Sequence, residues 1–166
     1  MNLLLIRHAI AEDRETWAKA GEHDSLRPLT REGQKKFKKS SGGLRVLVPE
    51  IDMLLTSPLT RARETAEILS STFGDMKVTT VAALAPGRRP SEMVTWLKSH
   101  KASGTAVLVG HEPDMGALAS WFLSGLHESF IEIKKGGAVL IAFEKDPTAG
   151  RGKLVWSLTP GQLRRI

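Results

Sequence analysis

The sequence predicts a three-layer α/β sandwich with a mostly parallel central sheet. Three short and almost wholly apolar runs, Asn2–Ile6, Ile51–Thr56 and Ala106–Val109, are typical of strands that are buried on both faces. Helix-like stretches separate these runs, and strands that alternate with helices form parallel sheets. We therefore expect ligands to bind beyond the carboxyl ends of the strands.

The first strand, Asn2–Ile6, is a continuous apolar run that Arg7 ends, and we expect it near the centre of the sheet. Thr30 can cap a helix over residues 31–48, because its hydroxyl can accept a hydrogen bond from a free N–H group of the first turn. Serine and glycine have low helix propensities, so Ser40–Gly43 weakens the middle of this helix.

The second strand, Ile51–Thr56, begins the clearest unit of the chain. Ser57-Pro58 breaks the strand and leads into a helix. The apolar residues of this helix recur every three or four positions, at Ala62, Ala66, Leu69 and Phe73. The pattern predicts a strand, a turn and a helix that packs one face on the sheet.

The rest of the chain continues the alternation. We predict a strand over residues 76–81, a helix Pro90–His100 and a helix Met115–Leu123 after the strand Ala106–Val109. The first of these helices should turn three residues inward: Met93, Trp96 and Leu97. The tail is broken by Gly and Pro and predicts three further strands, Phe130–Ile133, Ala138–Phe143 and Leu154–Trp156.

Length and composition limit the classes of protein. The 166 residues suit one domain over 1–166, with 41% hydrophobic and 25% charged residues, as in soluble globular proteins. Cysteine is absent, which excludes disulfides and thiolate metal sites. There is no signal peptide and no apolar run of about 18 residues, so we expect a cytoplasmic protein without membrane contact.

The net charge of +6 favours anionic partners and also suits a nucleic-acid binder. Basic residues concentrate only in Arg31–Lys39, where helical spacing spreads them over several faces and predicts a solvated surface. Aromatic stacking on bases would have to use the tryptophans, but Trp96 and Trp121 fall on apolar helix positions and Trp156 falls in a strand. Core packing is the preferred interpretation, and we expect no nucleic-acid partner.

Three predicted strands end in residues that suit a phosphate group. Arg7 and His8 follow the first strand, Ser57 and Arg61 follow the second, and His111 follows Ala106–Val109. A histidine with a pKa of about 6.5 is largely neutral at pH 7, and its imidazole can attack phosphorus. Arginine supplies a planar charged fork for phosphate oxygens, and the first turn of a helix adds N–H donors.

Other charged residues have ordinary explanations. Arg63 lies two positions from Arg61, points in a different direction and has Glu67 four residues on, so we interpret it as part of a surface ion pair. Three histidines stand in polar or helical stretches without matching context and are expected at the surface: His23, His100 and His127.

Four motifs resemble those of the histidine phosphatase superfamily. They are Leu-Leu-Ile-Arg7-His8-Ala9, Leu29-Thr-Arg-Glu-Gly33, Thr56-Ser-Pro-Leu-Thr-Arg61-Ala-Arg-Glu-Thr65-Ala66 and Val109-Gly-His111-Glu-Pro. Their order and spacing are also similar to those of the compact SixA-type phosphohistidine phosphatases of that superfamily. The resemblance extends from residue 3 to the tail strands.

The resemblance implies a phosphatase that needs neither metal nor cofactor. His8 would be the nucleophile and would carry a phosphohistidine intermediate, in a cationic pocket formed by Arg7, Arg61 and His111. Ser57 would lie at the edge of the pocket, and the backbone N–H of Glu112 would reach the phosphate. These roles agree with the chemistry of the residues, because phosphoryl transfer depends on positioning and charge neutralisation.

The sequence departs from the family pattern in two places. The usual Arg-His-Gly is Arg7-His8-Ala9 here, which SixA-like members often allow. Many members also carry a carboxylate that protonates an alkoxide leaving group, but Ala82–Pro86 offers none at the corresponding position. The nearest candidates for a general acid are Glu12, Asp13 and Glu92.

The missing acid predicts the substrate. An alkoxide is strongly basic, with water near about 15.7, whereas a departing imidazole has a conjugate-acid pKa of only about 6.5. A compound with an N–P bond needs less protonation, and no long insertion covers the predicted site. We therefore expect a phosphorylated histidine on a protein, such as a phosphorelay or phosphocarrier protein.

Other functions remain open at this point. A small-molecule phosphomonoesterase or a mutase would keep the same histidines and arginines but would need a carboxylate near the leaving group, most plausibly Glu12 or Glu92. A phosphoprotein-binding module without catalysis would use the same pocket, although the intact nucleophile argues against it. A zinc hydrolase built on His8 and His111 lacks a well-placed carboxylate, and Arg7 would repel the cation.

Overall fold

The computed structural model describes all 166 residues, and its centre is a six-stranded sheet. The strands are β1 (Asn2–Arg7), β2 (Met53–Thr56), β3 (Val78–Thr80), β4 (Thr105–Gly110), β5 (Ala138–Ala142) and β6 (Lys153–Leu158). The helices are α1 (Arg14–Lys19), α2 (Arg31–Leu47), α3 (Thr60–Thr72), α4 (Pro90–Ser99), α5 (Asp114–Ser124) and α6 (Pro160–Leu163). Two 3-10 helices span Asp24–Leu26 and Ala82–Leu84.

The strands lie in the order β3-β2-β4-β1-β5-β6. The first four are mutually parallel, whereas β5 and β6 pair in antiparallel fashion. The prediction of a mostly parallel sheet with β1 near its centre is therefore confirmed.

Both faces of the sheet are covered, as the apolar runs predict. On one face, Leu3 and Leu5 of β1 belong to a buried cluster with side chains of α4 and α5. On the other face, Leu4 and Ile6 belong to a cluster with side chains of α2, α3 and α6. Because successive residues of a strand point to opposite faces, one apolar strand supplies both cores and the structure has three layers.

The weak segment Ser40–Gly43 lies within α2 because it is a packing surface. Thr30 caps the helix by accepting a hydrogen bond from the Gly33 N–H at 2.9 Å, as predicted. Further along, a β-carbon at Gly43 would overlap the backbone of α6, and the hydroxyl of Ser41 lies 2.8 Å from that of Thr72 in α3. Close helix contacts thus offset the low helix propensity of these residues.

The predicted strand Phe130–Ile133 is wrong. The N–H groups of Phe130 and Ile131 donate to the Ser120 hydroxyl, at 3.0 and 3.2 Å, and the Ile133 N–H donates to the Glu112 carboxylate at 3.0 Å. Side chains thus accept the backbone N–H groups of this segment. Its sequence alternates between apolar and polar residues as in a strand, but the segment pairs with no strand. Its path past Glu112 brings it close to the ends of β1 and β4.

The remaining differences are small. Helices α1 and α6 were not predicted, because they have only 6 and 4 residues and little periodicity can be seen over such lengths. Met93 and Leu97 are buried as expected, whereas Trp96 is half-buried and stacks on His100 with ring centroids 3.9 Å apart. None of the helices is long and apolar enough to cross a bilayer.

Candidate active site

The two predicted site histidines are neighbours because β1 and β4 are in register. Arg7 pairs with Gly110 across these parallel strands, so the next residues, His8 and His111, leave the sheet side by side. Their ring centroids are 5.1 Å apart. The adjacent strand β2 ends one pair earlier and places Ser57 at the same edge, where the Ser57 N–H donates to the carbonyl of Val109 at 3.0 Å.

His8 has a defined tautomer. Its Nδ1 lies 2.7 Å from the carbonyl oxygen of Ala9, which can only accept, so Nδ1 carries the proton and Nε2 keeps its lone pair. The Ala9 N–H in turn donates to the Thr65 hydroxyl at 3.1 Å, and that hydroxyl donates to the Arg61 carbonyl at 2.7 Å. The turn after β1 is therefore tied to the first turns of α3.

His8 and His111 are both neutral at pH 7. Burial is the main cause that lowers the pKa of each imidazole to about 3, and the bond to the Ala9 carbonyl acts in the opposite direction on His8. The nearby charge of Arg61 lowers both values further. His8 thus presents an uncharged Nε2 with a free electron pair, which is the form of imidazole that acts as a nucleophile.

His111 is oriented by Ser57. Its Nε2 lies 2.8 Å from the Ser57 hydroxyl, which also accepts from the Leu59 N–H at 3.3 Å. Ser57 is fully buried and its side chain contacts His111, whereas sequence reasoning expected it at the pocket edge. The Ser57 hydroxyl therefore contributes to the site by orienting the His111 imidazole.

The arginines are held by backbone carbonyls. Arg7 donates from Nη1 to the carbonyl of Ile133 at 2.9 Å, and Arg61 donates from Nη1 to the carbonyl of Asp24 at 3.0 Å. Each guanidinium is therefore anchored through one of its terminal nitrogens to a backbone carbonyl. Arg61 lies in the first turn of α3, as predicted.

Three buried side-chain nitrogens have no hydrogen-bond partner. They are Arg7 Nε, Arg61 Nε and His111 Nδ1, and no other buried side-chain nitrogen or oxygen of the chain shares this condition. Leaving a buried donor unpaired costs about 1–3 kcal/mol, so such groups are rare in folded proteins. All three belong to residues of the predicted site, and the two arginine nitrogens among them are N–H donors without an acceptor.

Asp24 is the main site residue that sequence reasoning missed. Its carboxylate lies 3.2 Å from Arg61 Nη2, 2.9 Å from Arg27 Nε and 3.6 Å from Arg14 Nε. Burial acts to raise the Asp24 pKa, but the hydrogen bond from Arg27 and the three positive charges hold it below its usual value. Three arginines thus converge on one ionised carboxylate beside the histidines.

These residues line a cleft of about 800 Å³ at the carboxyl edge of the sheet. Its walls are strongly charged, with five cationic residues, Arg7, Arg14, Arg27, Arg61 and Lys135, and four acidic ones, Glu12, Asp13, Asp24 and Glu112. Among the candidates for a general acid, Glu12 and Asp13 lie in the cleft, whereas Glu92 caps α4 and lies 3.5 Å from Arg88.

Glu112 has a side chain that sequence reasoning did not consider. The prediction concerned its backbone N–H, which makes no hydrogen bond within the protein. Its half-buried carboxylate accepts from the Ile133 N–H at 3.0 Å. Burial raises the Glu112 pKa, while N–H groups of Ile133 and Gly116 and the charge of Arg7 act in the opposite direction.

The other predicted surface residues lie where expected. His100 and His127 are exposed, and His23 is exposed with its Nδ1 2.7 Å from the Ser25 hydroxyl. Arg63 and Glu67 form a surface pair at 4.0 Å. The chain has no group of three or more His, Asp or Glu side chains placed to hold a metal ion.

A mostly parallel α/β sheet that ends in a neutral histidine and two arginines, each held by a backbone carbonyl and with an unpaired buried Nε, defines a protein that handles phosphoryl-like anions. The model of a protein family described as "Histidine phosphatase superfamily (branch 1)" matches residues 3–86, just over half of the chain. The chain belongs to the histidine phosphatase superfamily. An uncharacterized protein of Picosynechococcus is 36% identical over 141 residues, which cover 84% of this chain and 83% of that protein.

Solved structures share the fold over nearly the whole chain. The protein histidine phosphatase SixA complexed with tungstate has a TM-score of 0.82 at 22% identity, covering 98% of this chain and 99% of that one. The alpha-ribazole phosphatase from Shigella flexneri has a TM-score of 0.75 at 16% identity, covering 96% of this chain and 97% of that one. A phosphoserine phosphatase mutant from Entamoeba histolytica has a TM-score of 0.66 at 17% identity, covering 98% of each chain.

The two buried histidines predict a loss of stability in mild acid. In the unfolded chain their pKa is about 6.5, whereas in the fold it is about 3, so the unfolded state binds more protons between these values. The free energy of unfolding should therefore decrease as pH falls from about 6.5 towards about 3. Urea denaturation at a series of pH values measures this decrease.

The His8→Ala variant should lose less stability than wild type over the same range, because one of the two histidines is gone. His127→Ala is the matched control, since His127 is exposed, and it should keep the wild-type dependence. An equal dependence in all three proteins would contradict the neutral state of His8.

Proposed function

We propose that this protein is a hydrolase that removes phosphoryl groups from phosphohistidine on another protein, through a phosphohistidine intermediate at His8. The observation that carries the proposal is the set of three unpaired buried nitrogens beside the His8 imidazole. A phosphoryl group has three acceptor oxygens, and charge-assisted bonds to arginine are strong. Binding would thus supply acceptors for the unpaired Nε groups of Arg7 and Arg61.

In the first step, Nε2 of His8 attacks phosphorus in line with the substrate N–P bond. A new N–P bond forms at His8 as the old one breaks, and the departing imidazole keeps the electron pair of the broken bond. It leaves neutral where its second nitrogen carries a proton. Arg7 and Arg61 would neutralise the charge of the oxygens during transfer, and the neutral His111 would help to orient them.

In the second step, water attacks the phosphoryl group on His8 and releases inorganic phosphate. His8 leaves with the electron pair of its N–P bond and becomes a neutral imidazole again, because Nδ1 keeps the proton that it shares with the Ala9 carbonyl. The water proton passes to phosphate or solvent. The hydrogen bond of Nδ1 thus keeps the same ring nitrogen reactive in both steps.

The acids of the cleft favour an imidazole leaving group. Bonds from Thr16 hold the Asp13 pKa below its usual value, and Asp24 is held ionised by its arginines. The Glu112 carboxylate accepts a hydrogen bond from the Ile133 N–H. Among the four acids of the cleft, only the exposed Glu12 has a side chain without such a bond, which suits a leaving group that needs little help.

The cleft also suits a protein substrate. It is open and highly charged, and Lys135 continues its cationic wall into a small depression shared with Lys36 and Arg164. A surface of this kind favours an acidic protein partner, such as a phosphorelay or phosphocarrier protein. SixA is named as a protein histidine phosphatase, and its bound tungstate is a tetrahedral oxyanion like phosphate.

A second candidate is a phosphatase for small phosphate esters. Relatives of the same fold include an alpha-ribazole phosphatase and a phosphoserine phosphatase, and Glu12 in the cleft would then donate a proton to the alkoxide. This candidate keeps the roles of His8 and the arginines. It differs from the first candidate in what Glu12 must do.

Hydrolysis of two substrates separates these candidates. We expect kcat/KM for a phosphohistidine protein to exceed that for phosphoserine by at least about 100-fold, because a general acid contributes about 10²–10⁴ to alkoxide departure. Both rates are measured by phosphate release with EDTA present, and we expect the activity to survive EDTA.

The Glu12→Gln variant sharpens the comparison. It should change phosphohistidine hydrolysis by less than about twofold, because an imidazole needs no donated proton there. Efficient phosphoserine hydrolysis that Glu12→Gln abolishes would favour the second candidate instead.

A further inference from the structure

The segment Ile133–Gly137 fixes both the backbone and the side chain of Arg7. The Arg7 N–H donates to the carbonyl of Gly137 at 3.3 Å, and the Gly136 N–H donates to the carbonyls of Arg7 and His8 at 3.0 and 3.1 Å. The carbonyl of Ile133 accepts from Arg7 Nη1 at 2.9 Å. The position of this segment therefore determines where the guanidinium lies.

The Glu112 carboxylate bonds to the N–H of Ile133, the residue whose carbonyl holds Arg7. Its Oε1 accepts from the Ile133 N–H at 3.0 Å, so Ile133 is bonded to Glu112 through its N–H and to Arg7 through its carbonyl. The Ile133 side chain is buried, which leaves the residue little freedom to shift. One residue thus connects an acid beside His111 to an arginine beside His8.

Gly116 fixes the other end of the carboxylate. A β-carbon there would lie 2.9 Å from Glu112 Oε2 and would overlap the carbonyl oxygen of Ile131. The absence of a side chain lets the first turn of α5 approach both groups. The Glu112 carboxylate therefore lies between α5, which packs closely against it, and the segment that holds Arg7.

From these contacts we infer that Glu112 is a positioning residue for Arg7. Its carboxylate orients the Arg7 guanidinium through the backbone N–H and C=O groups of Ile133. The inference rests on the proposed function, in which Arg7 binds the phosphoryl group. Arg7 Nη1 donates an N–H to the Ile133 carbonyl, and this bond holds the guanidinium in the wall of the cleft. Without the carboxylate, the Ile133 backbone loses one of its hydrogen bonds and can shift. The Arg7 guanidinium, which is bonded to the Ile133 carbonyl, would then lose its fixed orientation.

Glu112 does not fit the role of general acid equally well. A general acid must present a proton to the leaving group, whereas Oε1 of this carboxylate accepts the Ile133 N–H and Oε2 lies against the first turn of α5. The Glu112 side chain therefore acts on the site through Ile133 and Arg7. Its removal should weaken phosphate binding in a protein that has Arg7 and should have no effect in a protein that lacks Arg7.

A double-mutant cycle tests the inference. Tungstate serves as the oxyanion, and its Kd is measured by calorimetry for wild type, Glu112→Ala, Arg7→Ala and the double variant. We expect Glu112→Ala to weaken tungstate binding about tenfold in the wild-type background and to have no further effect once Arg7 is alanine. The kcat/KM for a phosphohistidine protein should follow the same pattern.

Two variants guard against a general structural effect. Glu112→Gln keeps the shape and one acceptor for the Ile133 N–H, and it should weaken binding less than Glu112→Ala. Glu132→Ala is the matched control, because Glu132 lies in the same stretch but is exposed and pairs with Lys134 at 2.8 Å. It should leave the Kd unchanged within about twofold.

The outcomes separate the two levels of the account. Equal losses from Glu112→Ala in both backgrounds would overturn the positioning role while leaving Arg7 in the site. If Glu112→Ala does not fold, the same comparison is made with Glu112→Gln. An unchanged Kd in Arg7→Ala would overturn the placement of Arg7 in the phosphate site, and with it this inference.

Discussion

Replacement of His8 by alanine should lower the hydrolysis of a phosphohistidine protein by at least about three orders of magnitude, because nucleophilic residues carry effects of that size. The imidazole is neutral, and its Nδ1 is bonded to the Ala9 carbonyl, which leaves Nε2 free to attack phosphorus. Phosphate release over time measures the loss.

The control for this variant is His127→Ala, which removes an exposed imidazole and should retain wild-type activity. Because His8 is buried, thermal denaturation should accompany the assay to show that His8→Ala is folded. A folded His8→Ala protein with wild-type turnover would remove His8 as nucleophile. The protein would then fit a module that binds phosphoproteins without catalysis.

Replacement of Arg61 by alanine should lower kcat/KM by about 10²–10³, the usual loss for a donor that stabilises transition-state charge. Arg61 has a second effect, since its removal leaves Asp24 with fewer cations in a half-buried position. Arg61→Lys should recover only part of the activity, because lysine keeps the charge but not the planar fork.

Arg63 provides a matched control two residues away on the same helix. It is exposed and its partner Glu67 lies 4.0 Å distant, so Arg63→Ala should change kcat/KM by less than about twofold. Equal effects of Arg61→Ala and Arg63→Ala would indicate loss of general positive charge and would contradict a specific site at the start of α3.

Much of this fold could be predicted from the sequence because its strands are buried on both faces. Runs such as Asn2–Ile6 have no polar alternation to confuse the period, and their ends are marked by charge or by Ser57-Pro58. The segment Phe130–Ile133 misled us because it alternates like a strand. Its hydrogen bonds go to Ser120 and Glu112, which are distant in sequence and carry no local pattern.

The site was predictable where it depends on strand ends. Parallel strands bring their carboxyl ends together, so His8, Arg61 and His111 could be grouped before any contact was known. Asp24 and Arg27 could not, because they reach the cleft from a loop between α1 and α2 whose path depends on tertiary packing. The one usable sign was two opposite charges three residues apart, which surface loops also show.

The most direct test of the central claim is a single-turnover reaction with enzyme in excess over a phosphohistidine protein, quenched in base and analysed by peptide mass spectrometry. The account predicts a phosphoryl group on the peptide that contains His8, formed at least as fast as phosphate is released and absent from His8→Ala. Phosphate released without any phosphorylated His8 peptide, or a phosphoryl group carried by another residue, would contradict it.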